Sequence, residues 1–223
     1  MINNLFQRHK NTWNKEVLFS LGVGLIMFFI ALVVQKAADI YVLSIKGTPV
    51  SDIILNNIPT FDIDSFIILS VLGLTFLAVV LFLAKPKYIN FGIKSVALFI
   101  IVRAFFISLT HLGVNPHEVI FSPNSFGYSL YNFLYNSHND FFFSGHTGIP
   151  FLLALIFWPE KKWRKIFFVI SFIFGASVLL GHIHYSIDVF AAPFITYSIF
   201  ELARITFPKD YENSHKTEPV KNN

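Results

Sequence analysis

Two short polar segments each stand beside a long apolar run, and both carry residue types that can do acid–base chemistry. The first is Ser-Gly-His-Thr at residues 144–147, and the second is His-Ile-His-Tyr-Ser-Ile-Asp at residues 182–188. Ionisable side chains at membrane depth are costly, so they mark functional sites by default. The histidines His146 and His184, together with Asp188, indicate phosphoryl-group chemistry within a membrane.

The spacing in the second segment suggests a paired histidine. His184 and Asp188 are four residues apart, which makes them neighbours on one face of a helix. A carboxylate bonded to one ring nitrogen fixes the tautomer and leaves the other nitrogen as a nucleophile or a base. The pair alone leaves open a structural alternative, in which a buried His–Asp contact only ties helices together.

The first segment has the composition of a helix start that could receive a phosphate. Ser144 can cap the helix, and free backbone amides at a helix N-terminus favour bound phosphate. Gly145 lets another group approach the backbone closely. His146 could then protonate a leaving oxygen as a general acid. An ordinary helix cap with a surface histidine is the alternative for this motif alone.

Arg103 interrupts the third apolar run and needs a partner there. Asp140 or Asp188 could pair with it, which would make it structural. It could instead neutralise a phosphate through bidentate hydrogen bonds, and substrate could displace the carboxylate.

Three histidines can hold a catalytic zinc ion, which raises the question of a metal at His146, His182 and His184. His182 and His184 are only two residues apart, so on a helix they point to different sides. We therefore predict no metal site and no cofactor.

Composition places the chain in a membrane. Of its 223 residues 54% are hydrophobic and 13% are charged, about half the charged share of soluble domains. The mean hydropathy is +0.61. The net charge of +4 lies in clusters between apolar runs rather than in one stripe, and no nucleic-acid module is present, so we predict no nucleic-acid binding. The absence of cysteine excludes disulfides and thiolate metal sites.

The apolar runs predict an all-α fold, an integral membrane bundle of six transmembrane helices. A helix needs about 20 residues to cross the hydrocarbon core, and continuous rather than alternating runs argue against a barrel. The fourth run is short and would need residues 141–143 to complete it. The first run lacks a signal-peptide cleavage pattern and is interpreted as a retained helix. The predicted runs are about Val17–Val34 with a continuation towards Val42, Ser65–Ala84, Ser95–Leu112, Gly145–Trp158, Ile166–Leu180 and Tyr185–Phe207.

These runs divide the chain into a cytoplasmic N-terminal segment at residues 1–16, a membrane catalytic domain at 17–208 and a polar, disordered tail at 209–223. Orientation follows from the positive-inside rule, because Lys and Arg accumulate on one side of the predicted bundle. The opposite loops carry only Lys36 and Lys46, and residues 113–145 contain no Lys or Arg. Both termini are therefore predicted to be cytoplasmic, which puts the two histidine segments on the exoplasmic side. The cytoplasmic cations are Arg8, Lys10, Lys15, Lys85, Lys87, Lys94, Lys161, Lys162, Arg164, Lys165, Arg204, Lys209, Lys216 and Lys221.

On these residues the chain resembles the sphingomyelin synthase-like branch of the type 2 phosphatidic acid phosphatase superfamily. Asp140 and the Ser-Gly-His-Thr at 144–147 are similar to the family's third motif. The His-Tyr-Ser-Ile-Asp-Val at 184–189 is similar to its fourth motif. His182 and Arg103 also resemble residues of that branch, and the predicted six helices agree with it.

The resemblance implies roles for these residues. His184 would be the nucleophile that forms a phosphohistidine, Asp188 would orient it, and His146 would act as the acid and then the base. Arg103 would hold phosphate. The remaining residues that the resemblance assigns to substrate binding are Asp140, Ser144, Gly145 and Tyr185.

Departures from the phosphatase pattern bear on the substrate. The Lys-x6-Arg-Pro motif is absent, and Ser177-Val178 stands where the phosphatases have Ser-Arg. Fewer cations favour a phosphodiester headgroup over a dianionic monoester. We therefore expect headgroup transfer from a phospholipid to a lipid alcohol such as ceramide or diacylglycerol. The alternatives are a lipid phosphatase acting on a monoester or diphosphate, and a non-catalytic lipid-binding or transport protein.

Overall fold

The computed structural model describes residues 12–45, 47–135 and 141–215. Within these ranges the chain is helical and contains no strand of a sheet, only an isolated bridge between Thr48 and Leu112. Short 3-10 turns lie at Leu55–Asn57 and Pro86–Tyr88. The α-helices of the described residues are α1 (Lys15–Ser44), α2 (Asp64–Ala84), α3 (Ile89–Leu109), α4 (Tyr128–Tyr135), α5 (Gly145–Ile156), α6 (Lys161–Leu180), α7 (Ser186–Thr206) and α8 (Pro208–His215).

Five helices in the described part of the chain are long and apolar enough to cross a membrane: α1, α2, α3, α6 and α7. The all-helical prediction is confirmed, and these helices are consistent with a multi-pass membrane protein. The described residues contain no sixth full span, because α5 has only 12 residues. That is about 18 Å at 1.5 Å per residue, against a hydrocarbon core of about 30 Å. Residues 141–143 lie outside α5 and do not complete it.

The position of α5 along α3 accounts for its length. At its start, a Cβ built on Gly145 would lie 3.4 Å from the Arg103 guanidinium of α3. Just after its end, the ring of Phe157 lies 4.7 Å from the ring of Tyr88, beside the first residue of α3. The helix therefore accompanies α3 from the level of Arg103 to the opposite end, and does not reach the end where α3 finishes at Leu109.

Helices α3 and α5 approach closely along this contact. A Cβ added at Gly148 would lie only 2.7 Å from Cζ of Phe99, so the absence of a side chain there lets the Phe99 ring pack against the α5 backbone. The ring of Phe99 also makes an edge contact with Phe143, just ahead of α5. These contacts fix the start of α5 against the middle of α3.

Two elements differ from the sequence predictions. The predicted outer loop at 113–145 contains α4, and the predicted disordered tail begins with α8. Residues 216–223 lie outside the described residues, and the division of the chain into three segments stays a prediction. Helix α8 forms because it packs: Tyr211 makes edge contacts with Phe91 and Phe200.

A buried ionic group ties α8 to the rest of the bundle. Lys94 Nζ donates to Asp210 Oδ2 at 2.6 Å and to Ser20 Oγ at 2.7 Å. Ser20 Oγ in turn donates to Asp210 Oδ1 at 2.7 Å. We call Ser20, Lys94 and Asp210 the Lys94 triad, and its end of the molecule the Lys94 end. Lys94, one of the cations from which the orientation was predicted, has a buried side chain in this contact, and the orientation stays a prediction.

Candidate active site

The first polar segment folds as a capped helix start. Ser144 is the N-cap of α5, and its Oγ accepts a hydrogen bond from the backbone N–H of Thr147 at 3.4 Å. The predicted cap is thereby confirmed. His146 follows as the second residue of α5, half-buried, in the first turn where backbone amides lack helical partners. Ser171 of α6 anchors this turn by donating to the Thr147 carbonyl at 2.8 Å.

The second polar segment is a tight connection between α6 and α7. The backbone N–H groups of Ile183 and His184 both donate to the Val178 carbonyl, at 2.9 and 3.4 Å. His184 lies before α7 begins, so the expectation that His184 and Asp188 share a helix face was wrong. The connection turns sharply at His182, whose φ of 52° lies in the left-handed region.

Asp188 still reaches His184, because it folds back on the start of its own helix. Its Oδ2 accepts a hydrogen bond from the Tyr185 backbone N–H at 3.0 Å and lies 3.4 Å from Nδ1 of His184. The other oxygen, Oδ1, makes no hydrogen bond within the described residues, although Asp188 is 0% exposed. The carboxylate therefore stands behind one ring nitrogen of His184, which leaves Nε2 as the nitrogen that can react.

The two polar segments meet. The rings of His146 and His184 have centroids 5.6 Å apart at an interplanar angle of 69°. The backbone N–H of Ser144 donates to the Asp188 carbonyl at 3.0 Å, which fixes the start of α5 against the start of α7. Phe141 closes one side with an edge contact to His184 at 6.4 Å. We call this end of the molecule the histidine end.

Arg103 lies at the same place. It is buried, and its Nε donates to the Phe143 carbonyl at 2.7 Å. Gly145 lies directly against its guanidinium, where a side chain would touch Nε and Cζ. The structure thus brings together Arg103, Ser144, Gly145, His146, His184 and Asp188. Asp140, the remaining member of the first motif, lies outside the described residues.

Tyr185 is placed differently from a substrate-binding residue. Its hydroxyl donates to the Gly113 carbonyl at 2.8 Å and accepts from the Val50 backbone N–H at 3.2 Å. Burial raises the pKa of this hydroxyl above its ordinary value. The side chain ties two loops to the start of α7, so its predicted contact with substrate stays a prediction that the hydrogen bonding does not favour.

Asp52 is a site residue that the sequence did not suggest. Its Oδ2 accepts from the Ser186 backbone N–H at 2.7 Å, at the first residue of α7, and its Oδ1 accepts from Ile54 and Leu55. Burial by itself raises the pKa of this carboxyl, but the bonds from Ser186, Leu55 and Ile54 outweigh it and hold the pKa below its ordinary value. Asp52 joins the loop after α1 to the segment that carries His184.

His182 packs against the loops that surround the site. Its ring makes an edge contact with His117 at 6.3 Å, and burial lowers its pKa below the ordinary value. Within the described residues no group of three His, Cys, Asp or Glu side chains could hold a metal ion.

Comparison with known families gives one match, which covers part of the chain. Residues 138–205 match the family model described as PAP2 superfamily C-terminal, a range that includes His146, His184 and Asp188 but not Arg103. No curated protein and no solved structure matches the chain. The match covers under a third of the chain and supports the PAP2 superfamily, whose members act on membrane lipids as phosphatases or phosphotransferases. It does not distinguish the sphingomyelin synthase-like branch.

Proposed function

We propose that this protein transfers the phosphate-linked headgroup of a phospholipid to a lipid alcohol, through a phosphohistidine formed on His184. The proposal rests on the rings of His146 and His184, whose centroids lie 5.6 Å apart. The buried carboxylate of Asp188 lies beside the ring of His184. Two imidazole rings this close can act on one phosphate group, one as nucleophile and the other as proton donor.

The first step forms the covalent intermediate. Nε2 of His184 attacks the phosphorus, and the bond from phosphorus to the lipid oxygen breaks. Protonated His146 gives its proton to that oxygen, so the leaving group departs as a neutral alcohol. Asp188 holds the other ring nitrogen of His184 and stabilises the positive charge that the imidazole gains.

The second step reverses the roles. The hydroxyl of the acceptor lipid gives its proton to His146 and attacks the phosphorus, while the phosphorus–nitrogen bond to His184 breaks. The new lipid carries the headgroup, and both histidines return to their starting states. Arg103, against Gly145, supplies positive charge to the non-bridging phosphate oxygens in both steps.

The sparse cations support transfer of a phosphodiester headgroup. At position 178, where the phosphatases carry arginine, this chain has a fully buried valine. The carbonyl of Val178 accepts a hydrogen bond from the His184 backbone N–H. A phosphodiester carries one charge where a monoester carries nearly two, so it needs fewer cations. We place the reaction on the exoplasmic face, on the strength of the charge distribution of the loops.

Product analysis tests the proposal. Purified protein in lipid vesicles receives a phospholipid labelled in its phosphate, with ceramide or diacylglycerol as acceptor, and the products are separated by thin-layer chromatography. We expect a new labelled lipid. Free labelled phosphate or a free labelled headgroup, with no new lipid, would instead establish a hydrolase. No turnover by wild-type protein with any acceptor would favour the non-catalytic reading.

The role of His146 has its own test. His146→Gln should lower the rate by about 10²–10⁴ with a natural lipid, because the leaving alcohol needs a proton. A nitrophenol leaving group needs none, so the loss should shrink towards unity with a nitrophenyl phosphodiester. His111→Gln is the matched control, since His111 is an exposed histidine beside Tyr41. An equal loss on both substrates would refute the acid role.

A further inference from the structure

The chain before α4 runs down the side of α2. The Ser125 hydroxyl donates to Asp64 Oδ2 at 2.5 Å, and Asp64 is the first residue of α2. Further along, Gly127 lies against Leu72, and the Tyr135 hydroxyl is hydrogen-bonded to Thr75. The contacts therefore advance along both segments in the same direction.

These contacts place α4 at the depth of the hydrocarbon core. Thr75 follows Asp64 by 11 residues, which is about 16 Å along α2, or half of a hydrocarbon core of about 30 Å. Because α2 is one of the candidate spans, the Tyr135 hydroxyl meets it near the middle of the membrane. Gly127 permits the descent: its φ of 83° lies in the left-handed region, and a Cβ there would lie 3.1 Å from Leu72.

The surface of α4 has the chemistry of a lipid-facing helix. Tyr131 is buried and packs against Phe121, while Leu130, Phe133 and Leu134 on the other side are exposed. Phe133 is 82% exposed. The chain carries no Asp, Glu, Lys or Arg between residues 119 and 139. In water this face would be an apolar patch that soluble surfaces rarely tolerate.

The exposed face of α4 continues the lipid-facing surface of α2. Phe76, one residue beyond the Thr75 contact, is 72% exposed on a helix whose apolar residues must face hydrocarbon. A helix can enter hydrocarbon because its backbone groups are paired internally. At the same end of the molecule α5 stops short, at the level of Arg103, so α3 has no α5 beside its last six residues.

We propose that α4 is a re-entrant helix, immersed in the half of the bilayer at the histidine end, with its exposed face covered by lipid acyl chains. Lipid is the occupant because the face is continuous with α2 and carries no charge that would orient a protein partner. This placement does not depend on the reaction at His184.

The chain contains no cysteine, so single-cysteine variants test the placement directly. Phe133→Cys is compared in lipid nanodiscs with Phe76→Cys as the lipid-facing standard and Ile53→Cys as the water-facing standard. Ile53 is 82% exposed, in the loop after α1. Each is labelled with a charged maleimide. Phe133→Cys should react at least about tenfold more slowly than Ile53→Cys, because a charged reagent enters hydrocarbon only at a cost of a few kcal/mol. All three should react alike in denaturing detergent.

A second measurement separates lipid from protein cover. A fluorophore attached at position 133 before reconstitution should be quenched by doxyl groups on lipid acyl chains. The same quenching is expected for a fluorophore at position 76. Fast labelling at Phe133→Cys would overturn the proposal, and so would slow labelling without quenching, which would indicate a second copy or another protein. Leu134→Cys repeats both measurements if Phe133→Cys does not fold. Adding His184→Ala should change neither result, which separates this proposal from the catalytic one.

Discussion

Buried polar groups join helices at both ends of the molecule, but they do so in opposite ways. In the Lys94 triad both carboxylate oxygens of Asp210 are engaged, and the three contacts measure 2.6 to 2.7 Å. At the histidine end the contact between His184 and Asp188 is 3.4 Å, and Asp188 Oδ1 has no hydrogen bond within the described residues.

We interpret the Lys94 triad as a structural group and propose that the histidine end binds a ligand. A buried charge that lacks close partners costs stability, so a fold keeps one only where something else supplies the missing contacts. At the Lys94 end the three side chains complete each other. At the histidine end Arg103, His146 and His184 lie close together, and we propose that a phosphate binds between them. The comparison predicts that mutations at the first end change stability and that mutations at the second change activity.

The largest expected effect is at His184. His184→Asn should lower headgroup transfer by about 10⁴-fold or more, because it removes the nucleophile that forms the covalent intermediate. The melting temperature should stay close to that of the wild type, since the polar contact of the ring with Asp188 is long, at 3.4 Å. Trapping of labelled phosphate on wild-type protein, stable in base and labile in acid, should disappear in the variant. His111→Asn serves as control, and retained transfer in His184→Asn would contradict the mechanism.

The Lys94 triad should respond in the reverse way. Lys94→Met leaves Asp210 buried without its cation and should lower the free energy of unfolding by about 3–5 kcal/mol. Activity per folded molecule should be preserved. Lys85→Met is the matched control, because the Lys85–Glu160 pair is partly exposed and should contribute at most about 1 kcal/mol. Thermal unfolding in detergent measures both. A specific loss of turnover in folded Lys94→Met would break the contrast between the two ends.

Asp52 should show an intermediate effect. Asp52→Asn keeps the size of the side chain but cannot accept bonds on both sides, so Ser186 or the Ile54 and Leu55 pair loses a partner. Stability should fall by about 1.5–3 kcal/mol, as for hydrogen bonds to a charged group. Misplacement of His184 should lower kcat by about tenfold with little change in KM. Asn56→Ala, which loses only a contact with Ser51, should change neither. An unchanged kcat in Asp52→Asn would show that Asp52 does not position His184.

The smallest effect concerns pH. Burial lowers the pKa of His182, so between its folded-state pKa and about 6.5 the unfolded chain binds more protons than the folded one. The stability contributed by neutral His182 is complete above about pH 6.5 and is lost as pH falls through the lower folded-state pKa. Between pH 7.5 and 5.5 the wild-type melting temperature should therefore fall by about 2–4 °C more than that of His182→Gln. Equal decreases in both proteins would contradict this assignment.

The sequence-based predictions succeeded where the signal is local. Continuous apolar runs gave the long helices, and the cap at Ser144 followed from its place before an apolar helix. The contacts that distinguish the two ends join residues far apart in sequence: 134 positions separate Asp52 from Ser186, and 116 separate Lys94 from Asp210. No periodicity predicts such pairs. The sequence predicted that the fourth run is short, but it did not predict that α5 begins where Gly145 meets Arg103 on α3.

The level at which α5 begins has an electrical consequence. Arg103 precedes the end of α3 by six residues, which is about 9 Å along the helix, or about a quarter of the 24-residue apolar span Pro86–Leu109 that includes α3. A net charge that travels from the surface to that level crosses a similar fraction of the membrane voltage. At 100 mV this corresponds to about 0.6 kcal/mol per elementary charge, or a two- to threefold change in occupancy. A zwitterionic headgroup carries no net charge and would be almost indifferent to the voltage, whereas an anionic one would be drawn in or held back by it.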